Sequence, residues 1–225
     1  MAVLIRPYSS FALDAVISLD AITYSGGNVW IDRSSTQGDN AVLTDVTTST
    51  TAENFQVLDF NGSTSVGTIA NRNWDFNSEQ TIMMALRRTV SARRNPYNQA
   101  YGGAGTWTHE TSGTITYFWG NSGVDGGSYQ AASSAVININ EWAIMTSVRN
   151  PTSVVWYKNG VPTSSRSNPY GSSVVSGTRD ILIGDGYAGP HWTGNIGFVF
   201  VWDRALNPTE VLTYYDRTKF RFGLS

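Results

Sequence analysis

Short runs of β-branched and aromatic residues alternate with clusters of Gly, Ser, Asn and Pro along nearly the whole chain, a pattern that predicts many strands joined by turns. The runs are Ala15 to Leu19, Gln56 to Phe60, Thr64 to Ile69, Gln80 to Arg87, Ile115 to Trp119, Ala135 to Ile139, Ala143 to Arg149, Val154 to Lys158, Asp180 to Gly184 and Gly194 to Trp202. Between Ile82 and Leu86 no residue is polar. Such a strand is covered on both faces and belongs at the centre of a sheet. The segment Val154 to Val161 carries Asn159-Gly160, a pair that readily takes the positive φ values of a two-residue hairpin turn. Near the C-terminal end, Asn207-Pro208-Thr209-Glu210 reads as a helix start. Asn207 is the N-cap, Pro208 opens the helix and Glu210 closes a capping box, with the helix running to about Arg217.

Composition agrees with sheets. The 225 residues are 40% hydrophobic and 12% aromatic but only 14% charged, against about 25% charged in typical soluble domains. An all-β sandwich of this length forms one domain around one core, here residues 15–225 behind an N-terminal arm of residues 1–14. The formal net charge is -2 and no basic stripe gathers to neutralise phosphates, so nucleic acid is not an expected partner. There is no cysteine, which excludes disulfides, thiolate metal sites and thiol nucleophiles. Met1 to Leu13 has neither a long apolar stretch nor a cleavage motif, and no run is long enough to insert into a membrane.

Two glycine-rich runs, Tyr101 to Gly105 and Val124 to Ser128, lack the strand, helix and spacing of a phosphate-cradling loop and read as flexible loops. Thr44 to Thr51 reads as a Thr/Ser-rich loop.

Several fragments fall in the order of concanavalin-like, laminin G-like jelly rolls, particularly those of bacteriophage virion proteins. Leu19-Asp20-Ala21 and Trp30-Ile31-Asp32-Arg33-Ser34 resemble the opening strand and its turn, followed by Leu58 to Ser63. Trp142 opens a strand that pairs with Val155 to Gly160, similar to the family's central hairpin. Ile183-Gly184 and Trp192 to Ile196 resemble late strands, and Val201 to Val211 resembles the closing strand-to-helix step. The tail from Tyr214 to Leu224 looks like endings of such phage proteins. The resemblance implies an all-β, two-sheet antiparallel jelly-roll sandwich with one short C-terminal helix.

Chemistry must then be sought in sites, because jelly rolls host lectins, hydrolases and capsid parts alike. A sandwich glycosidase places two carboxylates about 5 to 5.5 Å apart for retention, which on one strand means acidic residues at i and i+2 or i+4. None of Glu53, Glu110, Glu141 and Glu210 has such a neighbour, and Glu79 has only Asp75 across an Asn-rich turn. No catalytic residue is assigned. His109 and His191, the only histidines, read as exposed loop residues. Calcium, which the resemblance implies for some relatives, has Asp20, Asp32, Asp59, Asp125 and Asp185 as candidate ligands, with turn chemistry the competing reading for Asp32 and Asp59. No other cofactor is expected. Loop aromatics that offer flat faces to sugars are Trp107, Tyr129, Tyr170, Tyr187 and Trp192, whereas Trp30, Trp74, Trp119, Trp142, Trp156 and Trp202 fall in or beside strands as core. Arg87, Arg88, Arg93 and Arg94 form a basic cluster that suits an acidic partner or, more simply, a solvated strand end.

The expectation is therefore a non-enzymatic phage virion protein, capsid-decorating or tail-associated. It would assemble in the host cytoplasm and contact other virion proteins or copies of itself. The alternative is a lectin-like adhesin on a fibre tip or cell surface that binds a host glycan; a glycoside hydrolase is the third reading.

Overall fold

The computed structural model describes Ala12, Asp14 to Tyr187 and residues 190–225. The arm assigned to residues 1–14 thus lies outside the described residues except for Ala12 and Asp14. Sixteen strands occur among the described residues: β1 (Ile17–Asp20), β2 (Val29–Trp30), β3 (Ala41–Thr44), β4 (Thr47–Thr50), β5 (Gln56–Asn61), β6 (Val66–Ile69), β7 (Gln80–Arg88) and β8 (Arg94–Ala100). They continue as β9 (Gly105–His109), β10 (Ile115–Gly120), β11 (Tyr129–Ser133), β12 (Trp142–Arg149), β13 (Ser153–Lys158), β14 (Val161–Ser167), β15 (Ile181–Ile183) and β16 (Thr193–Trp202). One α-helix, α1 (Pro208–Thr218), follows.

The strands form two antiparallel sheets. One has the order β14-β13-β12-β7-β16-β5-β4, with β1 also on β16; the other has the order β11-β10-β9-β8-β15-β6-β3-β2. This is the two-sheet sandwich the sequence predicts, and β7 is indeed central, flanked by β12 and β16. Its alternation divides two cores. Ile82, Met84 and Leu86 point between the sheets, where they meet Trp30, Trp107, Trp119 and Trp156. Met83 and Ala85 point the other way, into a second cluster with Val211, Tyr215 and Phe222. The helix therefore covers the outer face of the first sheet.

That helix begins as predicted. The Asn207 side chain accepts from Glu210 N at 3.0 Å and Glu210 accepts from Asn207 N at 2.8 Å, satisfying two otherwise orphaned donors. The hairpin is also as predicted: Asn159 and Gly160 have φ of 53° and 76°, and β13 pairs with β14 from Lys158 and Val161 outward.

Four expectations fail locally. Ala135 to Ile139 is not a strand; Ile137 is buried and its N–H bonds Gly113 O at 2.9 Å, outside any ladder. Thr44 to Thr51 is no mere loop, for β4 pairs there with β5 as an exposed edge. His109 is not on a loop but fully buried at the end of β9. Arg88, placed in a solvated cluster, is only 6% exposed. Arg149 is buried as well, giving its guanidinium to the Tyr117 hydroxyl and to the carbonyls of Phe76, Asn77 and Ser78, which fixes the approach to β7. Among the described residues, no helix is long and apolar enough to cross a membrane.

Candidate binding face

The helix covers the outer face of the first sheet, whereas the outer face of the second is exposed toward its two ends. Directly opposed residues of antiparallel strands share a face. The pairings Val29↔Val42, Val42↔Thr68, Thr68↔Leu182, Leu182↔Asn98, Asn98↔Thr106, Thr106↔Phe118 and Phe118↔Ala131 thus draw one row across all eight strands. Val29 and Val42 are exposed at one end, while Asn98 and Thr106 are buried in the middle. At the other end Phe118 is half-buried and Tyr129 is 48% exposed.

Three rings gather at this second end. Tyr101 meets Phe118 at 5.1 Å between centroids, Phe118 meets Tyr129 at 5.5 Å, and Tyr101 meets Tyr129 at 6.3 Å. The two glycine-rich runs hold Tyr101 there by bonding to each other, contrary to their reading as flexible loops. Gly102 N donates to Val124 O at 2.9 Å, Ser122 N and Gly123 N donate to Gly102 O, and Tyr101 N donates to Asp125 Oδ1 at 3.1 Å. The Tyr101 hydroxyl meets Asn95 Nδ2 and Thr108 Oγ1, each at 3.2 Å. Asn95 Oδ1 and Asn98 Oδ1 have no protein partner despite their burial. Both oxygens are closed to solvent and so are not offered to a ligand lying on the face, and leaving a buried acceptor without a partner is costly. Asp125 also pairs with Arg179, whose guanidinium lies 4.5 Å over the Tyr187 ring, so Tyr187, 42% exposed, joins the same surface.

Of the five aromatics proposed from sequence, Tyr129 and Tyr187 are brought to this face. Tyr170 packs half-buried against the inter-sheet core and makes no ring contact with them. Trp107 and Trp192 must be withdrawn. Both are fully buried: Trp107 stands on the inner side of β9, donates to Ser147 Oγ at 3.1 Å and tilts against Trp156 at 4.8 Å. Trp192 packs on the edge of His109 at 5.7 Å. Tyr101 and Phe118 were missed, although the alternation through Ile115-Thr116-Tyr117-Phe118-Trp119 already puts Phe118 opposite its two aromatic neighbours.

The five aspartates proposed for calcium do not converge, and among the described residues no three His, Asp or Glu side chains are grouped to hold a metal. Each has a local task. Asp20 receives Arg221 at 2.7 Å. Asp32 accepts from the backbone of Ser18, Ser34 and Asp39 and from the Ser34 hydroxyl, a turn held by one carboxylate. Asp59 accepts from Ser49 and Asn195, Asp125 is committed as described, and Asp185 accepts from Gly186 N and lies 3.4 Å from His191. Asp39 lies beside Asp32 with its carboxyl raised by burial and by that neighbour's charge, against the opposing pull of Trp74 and Arg72.

A sequence model of the concanavalin A-like lectin/glucanases superfamily, a laminin G domain type, matches residues 60–212. The chain belongs to this superfamily. No curated protein sequence matches it. Among solved structures, the binding domain of botulinum neurotoxin DC, determined in complex with rat synaptotagmin II, superposes with a TM-score of 0.70 at 12% identity, over 92% of this chain and 52% of that one. A structure described by the cell entry of botulinum neurotoxin type C through two ganglioside molecules gives 0.68 at 14%, over 91% and 51%. The binding domain of Paraclostridial Mosquitocidal Protein 1 gives 0.69 at 14%, over 92% and 53%. The chain thus spans about half the length of these structures, and at such identities the likeness shows the fold. All three are similar to this concanavalin-like chain, and two are named as binding domains.

Proposed function

We propose that this superfamily member is a non-catalytic recognition domain that binds a carbohydrate on the outer face of its second sheet. The observation that carries the reading is the Tyr101, Phe118 and Tyr129 ring cluster, with Tyr129 48% exposed. Sugars present flat C–H faces that stack on aromatic rings, and this surface supplies such rings. Its structural neighbours, one in complex with rat synaptotagmin II and one a neurotoxin whose cell entry depends on two ganglioside molecules, support recognition over turnover. The absence of paired acidic residues along any one strand is in keeping with it.

A glycan array followed by calorimetry tests the proposal. Binding of a defined oligosaccharide that falls at least tenfold in Phe118→Ala and Tyr129→Ala, with unfolding midpoints unchanged for Tyr129→Ala, is the expected result. Equal binding by these variants removes the site. A second reading, subunit contact on a phage particle as a capsid or tail component, draws support from the resemblance of the closing segment and from exposed Val29 and Val42 on the same face. Cryo-EM density for the chain on a virion tests it.

A further inference from the structure

Arg88 is a buried cation left largely unpartnered. It is 6% exposed, its Nε and Nη1 have no hydrogen-bond partner, and among the described residues no carboxylate pairs with it, the Glu141 charge acting on it from farther off. Along β7 it follows Leu86 on the side that faces the second sheet. His109 follows Trp107 on the inner side of β9 and stands opposite Ile115, another inter-sheet residue. The two residues therefore face the same end of the inter-sheet space from opposite walls. His109 Nδ1 bonds Ala92 O at 3.0 Å and so carries a hydrogen, whereas Nε2 is buried without a partner. Over Arg88 lies the β9–β10 turn, where a Cβ on Gly113 would come within 2.8 Å of Arg88 Nη2.

The surroundings are positive on a chain of formal net charge -2. From β7, Arg87 bonds only Asn140 O and Asn195 Oδ1; from β8, Arg94 bonds Thr193 Oγ1 and Arg93 O. Of the acids nearby, Glu110 is paired with Arg93 and Glu141 with Lys158, while His191 is beside Asp185. Burial, with the charges of Arg88 and Arg94 added and against the opposing bond to Ala92, holds the His109 ring down at about 4.

We propose that Arg88 and His109 form a site for a single oxyanion, a sulfate, phosphate or carboxylate group, whose uptake brings a proton onto His109 Nε2. An oxyanion accepts the parallel N–H pair of a guanidinium. With Nδ1 already donating to Ala92, His109 faces that anion as a donor only when Nε2 is protonated. Anion and proton then bind cooperatively, each raising affinity for the other by the same factor. The site is separate from the aromatic face and stands or falls without it.

The test is NMR titration of the two histidine rings in the full chain, in sodium sulfate and in sodium chloride at matched ionic strength, with His191→Gln to assign His109. Sulfate should raise the His109 midpoint by at least one unit over chloride, and sulfate affinity should rise as pH falls, about twofold or more from pH 6 to pH 5 for a one-unit shift or larger. Both effects should vanish in Arg88→Gln and persist in Tyr129→Ala. Should Arg88→Gln not fold, the wild-type titration still decides. An unmoved His109 midpoint means that water alone meets Arg88, and sulfate binding that survives Arg88→Gln belongs to the surface arginines; either result overturns the site. A sulfated oligosaccharide that reproduces the shift identifies a sugar-borne group, whereas one that fails where sulfate succeeds identifies the free anion.

Discussion

Arg221 donates to Asp20 at 2.7 Å, with 1% and 8% of the two side chains exposed, across 201 residues of sequence. The pair locks the segment after α1 to the end of β1, and the guanidinium also lies over Phe198 and Phe222. Removing one member of a buried pair strands the other charge, at a cost of about 3–5 kcal/mol. Asp20→Asn should therefore lose about that much stability in urea denaturation, and replacing both residues with apolar ones of similar size should cost less.

Trp107 and Tyr129 separate packing from recognition. Trp107→Ala removes a fully buried ring and should cost about 3–5 kcal/mol, seen as a lower thermal midpoint. Tyr129→Ala, on an exposed ring, should stay within about 0.5 kcal/mol of wild type while losing glycan binding.

Gly160 occupies the second turn position at φ 76°, where a Cβ would meet Tyr215 Cδ1 at 2.9 Å. Gly160→Ala combines left-handed strain with a clash against the helix, so a loss of about 1–3 kcal/mol is expected by denaturant titration.

His109 makes stability depend on pH in chloride buffer. The folded ring titrates at about 4 against an ordinary 6.5, so between those values the unfolded chain binds a proton that the folded chain does not. Stability should be full above pH 6.5 and decline as pH falls toward 4, by up to about 3 kcal/mol. Replacing His109 with Gln should flatten that part of a stability profile measured by urea denaturation.

The elements most legible in the sequence were those fixed by local chemistry. Asn159-Gly160 and the Asn207–Glu210 box need only their own backbone, and the unbroken apolar run in β7 admits only a central place. β8 was unreadable because Arg93, Arg94 and Pro96 imitate a loop, although Asn98 and Gln99 are buried there. β4 is all Thr and Ser with every side chain exposed, so no alternation marks it. At the site, Tyr129 and Tyr187 were found as loop or edge aromatics, but Tyr101 depends on bonds between two glycine-rich runs some twenty residues apart, which pattern alone does not reveal. Trp192 misled for the opposite reason: flanked by His191 and Thr193, it looks exposed, yet Gly184 O accepts its N–H and draws it inward.

The cross-strand row from Val29 to Ala131 is not symmetrical end to end. Seven steps of about 4.8 Å lead from exposed valines through a buried polar middle to the aromatic rings, over roughly 34 Å. A chain-like ligand held at the proposed aromatic end would point its other end toward the valines, so reversing its reducing and non-reducing ends would change the contacts at the rings. On the proposed reading, two oligosaccharides with the same sugars in opposite sequence would be distinguishable at this face.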